Sequence, residues 1–156
     1  MDNITGEAGE DTIDGGDDGD TIDAGADNDF VDGGAGADTI TAGTGNDIVE
    51  GGSGDDTIHG GDGDDLLGGD AGHDTINGDG GNDTILGDST YDSGGTPTAS
   101  GFVGNDILNG GAGNDTIDGE SGNDQIRGGL DTDTITGGVG NDTIDGDAGM
   151  DTITGD

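Results

Sequence analysis

The sequence predicts an all-β fold, a solenoid of short stacked strands. Three observations predict it. A nine-residue period runs the length of the chain, one aliphatic residue recurs in each period, and the composition cannot build an ordinary globular core.

Written as G-G-x-G-x-D-x-U-x, with U aliphatic, the period is plain in Gly33-Gly34-Ala35-Gly36-Ala37-Asp38-Thr39-Ile40-Thr41. Complete copies start at 6, 15, 24, 33, 42, 51, 60, 69 and 78, and again at 110, 119, 128, 137 and 146. An interrupted copy runs from Gly87 to Asn109, and partial copies stand at Asp2–Thr5 and Gly155-Asp156. Position six is Asp in all sixteen copies, and position one is Gly in every copy except Ala24 and Ala42. Low-complexity drift does not keep such a register. The chain therefore reads as one array over residues 1–156, interrupted by a loop insertion at 89–103.

Position eight is Ile, Val or Leu throughout, from Ile4 to Ile153. Positions seven to nine, often Thr-Ile-Thr or Thr-Ile-Asp, favour a short strand with position eight inward and its neighbours outward. Glycines at positions one, two and four permit positive φ and close backbone approach, so positions one to six form the turn. A three-residue strand cannot stand alone; stacked copies bury a continuous core.

The composition sets the remaining condition. Apolar residues make up 24% of the chain, Gly numbers 41, and 38 acidic residues face one base, Arg127, for a net charge of −37. Low hydrophobicity with high charge is the signature of a chain that stays unfolded without help. The field repels nucleic acid and anionic lipid, so neither is expected as a partner, and it attracts cations. Without cysteine there are no disulfide staples, and neither a membrane-spanning run nor an N-terminal signal peptide is expected. Stabilisation has to come from outside the chain.

The nonapeptide resembles that of the RTX family, the haemolysin-type calcium-binding repeats of secreted bacterial proteins. The resemblance implies a right-handed parallel β-roll, a β-solenoid with two nonapeptides per coil and about eight coils, about 4.8 Å apart. It also implies calcium, a hard cation that takes six to eight oxygen ligands. In the family each ion lies between turns two copies apart, held by position-six carboxylates and by turn carbonyls such as those at positions two and four.

Carried onto this chain, one edge holds Asp11, Asp29, Asp47, Asp65, Asp83, Asp115, Asp133 and Asp151. The other holds Asp20, Asp38, Asp56, Asp74, Asp106, Asp124 and Asp142. Carbonyl candidates are Gly34, Gly43, Gly52, Gly61, Gly111 and Gly138 at position two, and Gly36, Gly45, Gly54, Gly63, Gly113 and Gly140 at position four. The gaps along both edges add up to about thirteen Ca2+ ions, which would bring the charge from −37 to about −11. Folding and binding are then one event. Position four is Asp18, Asp27 and Asp131 in three copies, where a side chain strains a positive-φ site. Position two is acidic at Glu7, Asp70, Asp79, Asp88, Glu120 and Asp147; these acids are expected to be solvated surface.

Three other features need weighing. The insertion holds the only Pro and the only Tyr, and is expected to bulge from one turn without breaking the roll. Phe30, Ile48 and Leu66 share position seven, eighteen residues apart, and are expected to form an exposed apolar ladder, a possible surface for self-association. The array begins and stops within a repeat, which suggests either a piece of a longer protein or ends that stack into a filament.

No nucleophile context surrounds His59 or His73, so an enzyme is not expected, and both read as surface substitutions. The resemblance points to a calcium-binding structural protein, secreted or at the bacterial cell surface. A filament, a surface-layer or adhesin segment, and a calcium-dependent ice-binding module are the alternatives. The ice reading leans on the regular Thr21, Thr39, Thr57 and Thr75.

Overall fold

In a computed structural model, residues 1–91, 97–99 and 103–155 are described. Among them there is no helix, and two parallel eight-stranded sheets face each other. The first sheet stacks Asn3–Thr5, Thr21–Ala26, Thr39–Thr44, Thr57–Asp62, Thr75–Gly80, Ile107–Ala112, Gln125–Leu130 and Thr143–Ala148. The second stacks Thr12–Asp14, Phe30–Asp32, Ile48–Glu50, Leu66–Gly68, Thr84–Leu86, Thr116–Asp118, Thr134–Thr136 and Thr152–Thr154. The chain alternates between sheets every nine residues, so partners lie eighteen apart: Ile22 pairs Ile40, and Ile40 pairs Ile58. The molecule is a β-solenoid of about eight coils, two nonapeptides to each.

The insertion leaves the stack continuous. Ile76 pairs Leu108 in one sheet and Ile85 pairs Ile117 in the other. Between them Thr90–Tyr91 and Pro97–Ala99 form a small antiparallel pair. Residues 92–96 and 100–102 of the expected loop lie outside the described residues.

The core is a double file of position-eight side chains, from Ile13 to Ile135, buried between the sheets. Ala24 and Ala42 join it, because position one also faces inward at the end of the strand. Two expectations change. First-sheet strands after Asn3–Thr5 run six residues, since positions one to three of the next copy stay in register; the second sheet keeps three-residue strands. Phe30, Ile48 and Leu66 do stack as a ladder, but they are half-buried, and the Thr90–Tyr91 strand lies against Ile48–Glu50 and Leu66–Gly68.

Candidate metal centres along the two turn edges

Every position-six aspartate sits at the entry to a strand, so the two sheets bring these residues to opposite edges of the roll. Asp11, Asp29, Asp47, Asp65, Asp83, Asp115, Asp133 and Asp151 line one edge. Asp20, Asp38, Asp56, Asp74, Asp106, Asp124 and Asp142 line the other, where Asp2 extends the column by donating its amide to Asp20. Each carboxylate after Asp2 and Asp11, the first of their columns, does the same thing. Its Oδ1 accepts the backbone N–H of the aspartate one coil earlier, as in Asp38 to Asp56 (2.8 Å), Asp47 to Asp65 (2.9 Å) and Asp56 to Asp74 (2.9 Å). The bond spans the insertion too: the Asp74 amide donates to Asp106 Oδ1 at 2.9 Å.

The second oxygen is left over. Among the described residues, Oδ2 of thirteen position-six aspartates is buried with no hydrogen-bond partner. A buried ionised carboxylate without a partner is costly, and burial without a cation favours its protonated form. Burial accordingly pushes the Asp74 carboxyl up to about 8, opposed by the Asp56 amide and reinforced by the charges of Asp56, Asp106 and Asp70. Asp65 and Asp106 are pushed up to about 7 by the same causes, and Asp56, Asp83, Asp115 and Asp124 to about 6.

At several position-one glycines, a position-six Oδ2 and a carbonyl oxygen of the next coil both lie close to where a Cβ would stand. A Cβ placed on Gly60 would lie 2.5 Å from Asp65 Oδ2 and 2.9 Å from the Gly78 carbonyl oxygen of the next coil. At Gly69 the corresponding distances to Asp74 Oδ2 and the Gly87 oxygen are both 2.6 Å, and at Gly87 they are 2.6 Å to Asp106 Oδ2 and 2.9 Å to the Gly119 oxygen. The position-one glycine thus keeps open a cradle between a carboxylate and a carbonyl. Its φ is not positive, so space rather than backbone freedom demands glycine there. Ala24 and Ala42, the two residues other than glycine at position one, are fully buried.

The predicted carbonyl donors divide. Position-two glycines have positive φ, 95° at Gly34 and 100° at Gly52, and their carbonyls already accept the amides of Ser53 and Ala71, each leaving one lone pair. Gly43, Gly61, Gly111 and Gly138 share the same left-handed backbone. The six position-four candidates have φ between 134° at Gly45 and 157° at Gly140, and their carbonyls take none of the backbone bonds that join the described turns. A Cβ on Gly54, Gly63, Gly113 or Gly140 would overlap the position-four carbonyl of the preceding coil. Gly36 would meet Asp18 in the same way. Among the described residues no three acidic or histidine side chains converge as a metal cluster. A cation here draws on few carboxylates and several carbonyls, a donor set that suits calcium.

Sequence reasoning missed two things. One is the position-one carbonyl. The other is position five, where Asn and Asp side chains form a second ladder in the opposite direction. Asn46 donates its amide to Asn28 Oδ1 at 2.9 Å, Asn82 to Asp64 Oδ1 at 2.8 Å and Asn123 to Asn105 Oδ1 at 2.8 Å. His73 takes the same role, its Nδ1 accepting the Asn105 amide at 2.8 Å. The frequent Gly-Asn-Asp of the sequence was the available signal.

The acidic substitutions also need correcting. Among the described residues, all eight non-glycine residues with positive φ are acidic: Asp18, Asp27 and Asp131 at position four, and Glu7, Asp70, Asp79, Glu120 and Asp147 at position two. The strain expected at position four is therefore shared by position two. Asp70 and Asp88, expected at the solvated surface, are buried, because their carboxylates turn back onto amides of neighbouring coils, Gly52 at 3.2 Å and Ser121 at 3.0 Å.

The family model for the RTX calcium-binding nonapeptide repeat, which spans four copies, matches residues 1–31, 32–67, 59–93, 100–135 and 127–156. No curated protein matches the chain. With nearly every residue covered, and with turns built as the repeat demands, the chain belongs to the RTX calcium-binding nonapeptide repeat family.

Proposed function

We propose that this roll is a structural module that folds when calcium fills its two turn edges. The stacked, buried and unpartnered Oδ2 atoms carry this reading. Each calls for a positive charge, and the chain offers a single arginine. The ligands are the position-six carboxylates with turn carbonyls at positions two and four, joined by the position-one carbonyl of the next coil. One ion per gap between complete turns gives about thirteen. Because the ligands converge only when coils stack, binding free energy becomes folding free energy.

Family membership supports a bacterial protein working outside the cell. Export in the unfolded state at low calcium and folding in millimolar calcium fit a chain whose fold depends on the ion. The test is a calcium titration of the full chain followed by circular dichroism. The expected result is little β signal in chelator and a cooperative gain as calcium is added. A full β signal in chelator at neutral pH contradicts the reading.

A further inference from the structure

Two buried acids, Asp70 and Asp88, lie outside the two columns, each with a buried Oδ1 that has no hydrogen-bond partner among the described residues. Asp88 stands at position two of the interrupted copy, where its repeat normally has glycine. It is 1% exposed, and the adjacent Ser89 is 2% exposed. Elsewhere on this edge the position-three amide bonds to a position-two carbonyl, as Ser53 does to Gly34 and Val139 to Glu120. Here the donor, the Ser121 N–H, goes to Asp88 Oδ2 at 3.0 Å. The side chain has been drawn into the turn.

Glu120, one coil further, closes on it from the other side. The Asp88 amide donates to Glu120 Oε2 at 3.1 Å, and the Ser89 hydroxyl donates to Glu120 Oε1 at 2.7 Å. The Glu120 amide in turn donates to Asp118 Oδ1 at 3.0 Å. Asp118 and Asp88 are the charges nearest Glu120. Among the described residues one atom in this knot has no hydrogen-bond partner: Asp88 Oδ1 is buried, with the Gly104 amide close to the carboxylate. Arg127, the chain's sole arginine, is exposed on the outer face of the first sheet, beside Asn109 and Asp145, and does not reach it.

We propose that Asp88 and Glu120, with the Ser89 hydroxyl, form an additional site for a hard divalent cation, anchored by Asp88 Oδ1. Calcium fits the donor set: two carboxylates and a hydroxyl, with carbonyls and water to complete six to eight oxygens. Asp118 adds charge without ligating. The site sits where the chain leaves the nonapeptide register at Ser89, so a cation there clamps the root of the insertion to the next coil. It uses position-two and insertion-flanking residues, not the position-six repeat. The inference rests on the column reading only in needing a folded roll.

Crystals of the full chain grown in calcium, with anomalous scattering measured at a wavelength sensitive to calcium, test the two separately. The expected result is a peak about 2.3–2.6 Å from Asp88 Oδ1 and beside a Glu120 oxygen, in addition to peaks along the columns. Asp88→Asn should lose that peak and keep the column peaks, and bind one ion fewer per chain by calorimetry. If Asp88→Asn does not fold, Glu120→Gln reads the same loss. Filled columns with no ion at Asp88 overturn this inference and leave the column reading standing. An ion at Asp88 beside empty columns does the reverse. A peak that survives both substitutions also overturns it.

Discussion

Asp74 and Asp151 occupy the same position of the same repeat and live in different surroundings. Asp74 has a coil on each side, a buried and unpartnered Oδ2, and a carboxyl pushed up to about 8. Asp151 belongs to the last coil of the chain; it still accepts the Asp133 amide, but no later coil covers it and it is partly exposed. The aliphatic residues repeat the contrast: Ile76 is fully buried and Ile153 is 49% exposed. Near-identical nonapeptides thus differ because each coil borrows its environment from its neighbours. That is the expected behaviour of a one-dimensional array, whose stability sums over interfaces.

The contrast can be pressed hardest without calcium. An unfolded aspartate titrates near 3.9, whereas the middle of the roll holds Asp56, Asp65, Asp74, Asp83 and Asp106 at about 6 to 8. Between those values the folded chain binds protons that the unfolded chain releases, so acid favours the metal-free roll. The stabilisation is complete below about pH 4 and is lost as pH rises through 6 to 8. In chelator, β signal is therefore expected to grow as pH falls from 8 towards 4, the reverse of ordinary acid denaturation. A circular dichroism spectrum unchanged over that range breaks the account.

A smaller effect separates middle from end in the core. Ile76→Ala is expected to cost about 2–5 kcal/mol in saturating calcium, because the hole it leaves is enclosed by adjacent coils. Ile153→Ala is expected to cost about 1 kcal/mol or less, since half of that side chain already faces water. Urea unfolding of both variants makes the comparison, and equal losses would show that the end coil is as tightly held as the middle.

The smallest difference lies in the turns. Gly9 and Gly72 both stand at position four with positive φ, but a Cβ on Gly9 meets nothing within 4 Å, whereas one on Gly72 overlaps the Gly54 carbonyl. Gly9→Ala should cost about 1 kcal/mol, for the backbone alone, and Gly72→Ala more, as a coil must shift. Thermal unfolding in calcium ranks the two. An equal cost would mean that φ, not coil approach, selects the glycine.

Much of this was legible in the sequence because a strict period fixes register. The Asp spacing assigned the two edges, and the aliphatic spacing assigned the core. What escaped depends on a third dimension that one repeat does not contain. The cradle beside Gly60 is formed with the carbonyl of Gly78, eighteen residues away. Asp88 reads as another surface acid until Ser121 and Glu120 of the next coil fold over it. Ile48 and Leu66 read as part of an exposed stripe because nothing in their own repeats announces that the Thr90–Tyr91 strand returns to the same sheet.

The eighteen-residue coil has a mechanical consequence. Each coil adds about 4.8 Å to the length of the rod. Pulled straight, its eighteen residues span about 60 Å. A terminal coil has one neighbour to leave and an interior coil has two, so tension peels the roll from its ends. Each coil released would lengthen the chain about twelvefold over the rise it gave up, so a stack of this kind would let out extensible chain in fixed steps.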